Sequence, residues 1–264
     1  MYLSRTARRL LAAFTTIVVF VLYFPLGYVA RLSVATSRGF GRPRGFSFDA
    51  WSRTIDAPGP RDALMNSLLV ASEATAVALV LGTLAASALT RFRFFGRHTV
   101  NLMIVLPIAL PGIVTGIAFH SGYERLGVDL SVMTLVAAHA TFCIVIVFNN
   151  VAARMRQLGT SLEEASADLG ADQLQTWWYV RLPMLRSALL AGGLLSFALS
   201  FDEIIVTTFT IDGGFKTLPA WILENMFRSE SIPIVNVTAT FVVLAMIVPV
   251  YVAQRLVDST PSRG

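Results

Sequence analysis

Uninterrupted apolar length constrains this chain more than any other feature. From Leu10 to Ala30 no charged side chain breaks the run. About twenty residues at ~1.5 Å per residue reach across the ~30 Å hydrocarbon core of a bilayer. Within that core no water satisfies backbone N–H and C=O groups, so a segment of this kind folds as an α-helix. Apolar stretches of similar length recur at about 63–90, 100–119, 131–153, 187–209 and 234–253. The expectation is an all-α integral membrane protein with six transmembrane helices, forming a single transmembrane domain over residues 1–264. Composition agrees: 55% of residues are hydrophobic and only 14% are charged, too apolar for an ordinary soluble domain.

The formal net charge of +5 would suit a nucleic-acid binder. However, the basic residues are nearly all Arg beside apolar runs, where they orient helices. No nucleic-acid partner is expected, whereas membrane lipid is. With the amino terminus in the cytoplasm, Arg5, Arg8, Arg9, Arg91, Arg93, Arg97, Arg154, Arg156, Arg181, Arg186, Arg255 and Arg263 fall inside, 12 of the 21 Lys and Arg. Both termini are therefore expected in the cytoplasm. The first run has the outline of a signal peptide, but its length and the lack of a small-x-small site before Arg31 favour a retained helix. Residues 31–62, with Gly39, Gly41, Pro43, Gly45, Pro58, Gly59 and Pro60, read as a loop without regular elements, in which Phe46, Phe48 and Trp51 are interface anchors.

Several side chains sit oddly in apolar runs. Glu73 is expensive in hydrocarbon, so it faces a helix or wet cavity, or reaches the interface. Pro107 and Pro111, within LPIALPG, kink or break the third span and free backbone carbonyls that suit a cavity lining. His139 reads as an interhelical hydrogen-bonding partner, since no second ligand accompanies it at helical spacing. Gly192 and Gly193 permit close helix approach. Asp202 and Glu203, beside Thr207, mark either a pathway or a structural network at the helix end. Glu73, Pro107, Pro111, Asp202, Glu203 and Thr207 are the candidate translocation path.

Between the fourth and fifth runs lies a polar island, Thr160 to Pro183. Leu162, Ala165, Ser166 and Leu169 repeat at the spacing of one helix face. Ser161 and Glu164 form a capping-box signature that starts a short helix near Leu162. Gly170 ends it in a left-handed cap, and a second short helix starts near Asp172 and stops before Pro183.

Glu164, Ala165 and Ser166, then Gly170, then Val180, Leu182 and Pro183 resemble the EAA motif of ABC-importer permeases, the cytoplasmic loop that docks into the ATPase subunit. The family pattern is Glu-Ala-Ala, three residues, Gly, nine residues, Ile-x-Leu-Pro; here Ser166 and Val180 depart from it. LPIALPGIVTG at 106–116, HATFCIVIVFNN at 139–150 and ALSFDEIIVTTFT at 198–210 resemble the second permease subunit of spermidine/putrescine-type importers. The resemblance implies a MetI-like ABC permease fold with cytoplasmic coupling helices in the bacterial inner membrane. It further implies an ABC ATPase dimer, a second homologous permease subunit and an extracytoplasmic substrate-binding protein as partners. The ATPase-coupling residues it implies are Glu163, Glu164, Ala165, Ser166, Asp168, Gly170, Ala171, Leu182 and Pro183.

No cofactor is expected in the chain itself, because ATP and Mg would bind the partner ATPase. Gly213, Gly214, Phe215, Lys216 and Thr217 lack the spacing of a phosphate loop. The lone Cys143 has no thiol partner. No catalytic or metal-binding constellation stands out, so the chain is expected to be a transporter subunit rather than an enzyme. The alternative is an ion-coupled secondary transporter using the intramembrane carboxylates Glu73, Asp202 and Glu203, which leaves the island from Glu164 to Pro183 without a role.

Overall fold

The computed structural model describes residues 4–36, 44–159 and 161–258. In chain order the helices are α1 (Arg5–Ser33), α2 (Asp49–Asp56), α3 (Pro58–Arg91), α4 (Arg97–Ala109), α5 (Gly112–Leu126) and α6 (Val132–Leu158). There follow α7 (Ser161–Asp168), α8 (Gln173–Thr176), a π-helical turn (Trp177–Arg181), α9 (Leu182–Phe201), α10 (Ile205–Thr210), α11 (Leu218–Asn225) and α12 (Ile232–Asp258). Strands β1 (Ala35–Thr36) and β2 (Arg44–Phe46) pair antiparallel. Two compact units result, residues 1–61 with 221–264 and residues 62–220.

In the first unit α1 packs along α12, which also meets α2. The Ser4 hydroxyl accepts the Ala7 N–H at 3.2 Å, capping α1. None of the apolar window of α1 is buried, so Phe14, Phe20 and Tyr23 lie exposed, as lipid-facing side chains would. Gly39, Gly41 and Pro43 lie outside the described residues, but the described part of 31–62 holds more order than its Gly and Pro content suggests. Ser47 accepts the Asp49 N–H at 3.1 Å and α2 runs on from there, with Trp51 half-buried in it. Phe46 and Phe48 stay exposed. Likewise α3 begins at Pro58 rather than near 63. Proline is tolerated in a first turn, where its missing N–H would have no intrahelical partner anyway.

The second unit is built around α6, with 61% of its apolar window buried. Its core joins Ala78, Ala86 and Leu89 of α3 to Phe142, Val147 and Val151 of α6, Leu185 of α9 and Val206 of α10. Small residues set the spacing. A Cβ on Gly82 would lie 2.9 Å from the Val147 side chain and 3.0 Å from the Ile144 carbonyl, and one on Gly192 would lie 3.2 Å from Val147 Cα. Val147 is thus clasped between α3 and α9, and Gly193 meets Leu79. Close approach through glycine is how helices associate where lipid offers no hydrophobic drive. Buried Cys143 gives its thiol to the Ser196 carbonyl at 3.4 Å and receives the Ser196 hydroxyl on its own carbonyl at 3.2 Å, tying α6 to α9.

Among the described residues, four helices are long and apolar enough to cross a membrane, α1, α3, α6 and the continuous run Gln173–Phe201, or five if α4 and α5 count as one broken span. Two expected spans are not straight. The third bends by 109° between α4 and α5, at Leu110 and Pro111, where proline removes a helical N–H and clashes with the preceding turn. The fifth, expected over 187–209, stops at Phe201 and resumes as α10 at Ile205. At its other end it continues through Pro183, which was expected to stop a helix. The Leu182 N–H bonds the Trp177 carbonyl five residues back, and this wider turn admits the ring at the start of α9.

Candidate functional site

The polar island folds as a helical appendage of α9. Helix α7 carries Glu163 and Glu164 in its first turn, where the helix dipole favours negative charge. It begins at Ser161, one residue earlier than expected. Ser161 is therefore a first-turn residue rather than the cap, and Thr160 before it lies outside the described residues. At the far end Gly170 adopts φ +81°. The Gly170 N–H bonds the Ala167 carbonyl at 2.9 Å and the Ala171 N–H bonds the Ser166 carbonyl at 3.1 Å, the paired closure that a left-handed residue makes possible. Helix α8 then starts on a capping box. Asp172 accepts the Gln175 N–H at 2.7 Å, and the Gln175 side chain accepts the Asp172 N–H at 2.9 Å.

Two side-chain links fold the appendage back on α9. The Ser166 and Thr176 hydroxyls lie 3.0 Å apart. Glu163 pairs with Arg181 of the π-helical turn. Arg181 is buried, and its Nε has no hydrogen-bond partner among the described residues. A cavity of about 30 Å³ lined by Met155, Leu158, Glu163 and Arg181 adjoins the pair, room for one water. Of the expected coupling residues, Glu164, Ala165, Asp168, Gly170 and Pro183 are exposed, while Glu163, Ser166, Ala171 and Leu182 are half-buried. Leu169 is 89% exposed and Tyr179 80%, so the appendage presents an uncovered apolar surface.

A second constellation lies at the break between α9 and α10. Glu203 turns its carboxylate to the Val206 N–H at 2.8 Å and so caps α10. Thr207 donates to the Glu203 carbonyl at 2.9 Å. His139 of α6 bridges the break, with Nδ1 2.8 Å from the Ser200 hydroxyl and Nε2 3.0 Å from that of Thr207. All three are buried, as an interhelical hydrogen-bonding role requires. Asp202 is exposed. The two adjacent carboxylates thus differ: Glu203 is engaged in building the break and Asp202 stands open at it.

The break in the third apolar run adjoins this one. A Cβ on Gly112, the residue after Pro111, would lie 3.7 Å from the Ile205 side chain. Farther along the same pair, a Cβ on Gly116 would meet Phe209 at 2.7 Å. His120 donates its Nδ1 hydrogen to the Phe209 carbonyl at 2.9 Å, and the Thr134 hydroxyl donates to that of Thr210 at 3.0 Å. These bonds satisfy the last carbonyls of α10, which a short helix otherwise leaves open. Gly112, the residue after Pro111, therefore lies against Ile205, two residues after Glu203. Glu73 is exposed on α3, and among the described residues no hydrogen bond or ion pair ties it to Asp202, Glu203 or Thr207.

Sequence reasoning missed two features, and for a third, His139, it read the interhelical role but not the partners. The Asp172-x-x-Gln175 spacing was a readable signal for the second capping box. The Glu163–Arg181 pair and the His139 bridge join residues 18, 61 and 68 apart, and no local pattern announces them.

Helices of membrane length, a capped appendage hung on one of them, and breaks in two of the apolar runs are those of a membrane-embedded protein. The chain belongs to the family of binding-protein-dependent transport system inner membrane components, whose family model matches residues 78–263. It is 34% identical over 206 residues to the putrescine transport system permease protein PotI of Escherichia coli K12, covering 74% of this chain and 73% of that one. It is 30% identical over 257 residues to the spermidine/putrescine transport system permease protein PotC of the same organism, covering 97% of each. Against PotC of Haemophilus influenzae the identity is 28% over 244 residues, 92% of this chain and 95% of that one. Among solved structures, a chain of a bacterial ABC transporter involved in the import of the acidic polysaccharide alginate superposes with a TM-score of 0.75 at 19% identity, covering 98% of this chain and 99% of that one. An amino acid ABC transporter gives 0.57 at 17% identity, over 78% of this chain and 98% of that one. The fold is that of an ABC-importer permease, and a permease of this family is an inner-membrane component and not itself an enzyme.

Proposed function

We propose that this permease moves polyamines, putrescine or spermidine, or related small cationic or amino-acid-like solutes, into the cytoplasm. In this reading it pairs with a second homologous permease, is driven by an ABC ATPase dimer that binds ATP and Mg, and receives substrate from an extracytoplasmic binding protein. Six membrane crossings with both termini in the cytoplasm complete the topology, supported by the arginines beside the apolar runs. The observation that carries the substrate reading is the 34% identity to PotI, a putrescine permease by name. The exposed Asp202 agrees with it. A unit charge ~4 Å from a cation is worth about 1 kcal/mol in water and about 4 at an effective dielectric of ~20, so the attraction grows as water is excluded.

Coupling runs through the island. Closure of the ATPase dimer moves α7, with Glu164, Ala165 and Asp168 exposed toward the ATPase and Leu169 in its apolar contact. Gly170 and Ala171 close the helix end. The Glu163–Arg181 pair and the unbroken helix through Leu182 and Pro183 carry the displacement into α9. At its other end lie Asp202, Glu203 and Thr207, which with Pro107, Pro111 and Glu73 form the translocation path.

The test is uptake of radiolabelled putrescine by cells producing this chain with its neighbouring transporter subunits. Uptake that vanishes when the ATPase's catalytic glutamate is replaced by glutamine is the expected result. ATPase-dependent uptake of a different solute, with none of putrescine, would discard the substrate.

A further inference from the structure

The two helices on either side of the break in the fifth apolar run share one buried side chain from α6. His139 of α6 reaches Ser200, in the last turn of α9, and Thr207, in α10, and all three are at most 3% exposed. We propose that His139 is a positioning residue for transport: it fixes the break between α9 and α10 and thereby sets where the Asp202 carboxylate stands.

Hydrogen bookkeeping gives the bridge a direction. A hydroxyl has one hydrogen, and a neutral imidazole has one N–H and one lone pair. Thr207 directs its hydrogen to the Glu203 carbonyl at 2.9 Å, so toward the ring at 3.0 Å it accepts. His139 therefore carries its hydrogen on Nε2, and Nδ1 accepts the Ser200 hydroxyl at 2.8 Å. Three bonds run one way, from Ser200 through His139 and Thr207 to the backbone of Glu203. They close over Asp202, the one residue between Ser200 and Glu203 that is exposed. Buried donors and acceptors left without partners are costly, so the chain resists opening at any of its three members. The Glu203 carboxylate secures the far side independently by capping Val206. The backbone that carries the Asp202 carboxylate is thus held by His139 of α6 and by hydroxyls on both sides of the break. Breaking one link would let residues 202–204 drift without removing the carboxylate.

This inference rests on the reading that Asp202 faces the transported cation, and the experiment separates the two. The complete transporter is reconstituted in proteoliposomes, and putrescine carried per ATP hydrolysed is measured for Thr207→Val, Thr207→Ser, His139→Gln, Asp202→Asn and the Thr207→Val/Asp202→Asn double variant. Thr207→Val and His139→Gln each lower the ratio by about tenfold, whereas Thr207→Ser, which keeps the hydroxyl, stays near the parent. In the Asp202→Asn background Thr207→Val adds less than about twofold, because both act through the same carboxylate. A merely structural loss would lower uptake and ATP hydrolysis together and leave their ratio unchanged, which overturns the proposal. So does a Thr207→Val effect that multiplies in full on Asp202→Asn. If Asp202→Asn alone is silent, the path reading fails, and amide exchange over 201–206 then decides the positioning. About tenfold faster exchange in Thr207→Val upholds it, and unchanged exchange overturns it.

Discussion

Replacing Glu163 with glutamine should loosen the coupling appendage more than replacing its partner Arg181 with methionine. The Arg181 side chain is 9% exposed and that of Glu163 26%, so orphaning the one costs more than orphaning the other. In Glu163→Gln the guanidinium stays buried against a neutral amide, with its Nε already lacking a partner. An uncompensated buried charge costs about 3–5 kcal/mol. In Arg181→Met the remaining carboxylate keeps its access to water and the thioether fills the arginine stem's space, so the cost is about 1–2 kcal/mol. The double variant removes both charges, and an apolar replacement of a buried pair is close to neutral. At about 1.4 kcal/mol per factor of ten, opening of the appendage rises by about two to three and a half orders of magnitude in Glu163→Gln and about tenfold in Arg181→Met. Amide hydrogen exchange over residues 161–181 in nanodisc-reconstituted transporter reads that opening directly. A reversed order of the single variants, or a double variant as fast as the worse single, would refute the reasoning.

Three other positions give outcomes as definite. Gly170 has φ +81° and open space about its Cα, so backbone conformation alone limits it. Gly170→Asn should retain coupled uptake while Gly170→Val lowers it, with membrane insertion intact in both, as measured by putrescine uptake and membrane yield. Gly82→Val places a Cβ within 2.9 Å of Val147 and 3.0 Å of a backbone carbonyl. It should destabilise the α3–α6 contact by about 1–3 kcal/mol, seen as a lower melting temperature in detergent. Leu169→Glu, at an 89% exposed position, should weaken ATPase association by about tenfold or more while leaving that melting temperature unchanged, measured by co-purification with the ATPase.

How much of this was legible in sequence depends on whether the cause is local. Membrane-length helices are local, because the bilayer fixes length and hydropathy together, and α3 and α6 arise directly from their runs. The Gly170 turn and the start of α8 at Asp172 are local too, set by one left-handed residue and one capping side chain. The break at Pro111 is announced by proline. The break at 202–204 is not, since no Gly or Pro occurs there. It is made by the Glu203 cap and by His139, whose partners lie 61 and 68 residues away. Pro183 misleads for a related reason: a stop rule built on the α-helical ladder does not anticipate a π-helical turn at Trp177–Arg181. The order within 31–62 escapes notice because Pro58 and Pro60 read as breakers in mid-chain yet are harmless in a helix's first turn. Among the candidate site residues, sequence grouped Asp202 with Glu203, and only the geometry separates a capping carboxylate from an open one.

The central claim, that ATP hydrolysis on partner subunits drives a cationic solute through this permease, is tested most directly in sealed proteoliposomes holding the complete transporter. The account predicts accumulation of radiolabelled putrescine that requires both ATP and the binding protein and persists when ion gradients are collapsed. Accumulation driven by an imposed ion gradient without ATP would contradict it and assign the intramembrane carboxylates to ion coupling instead.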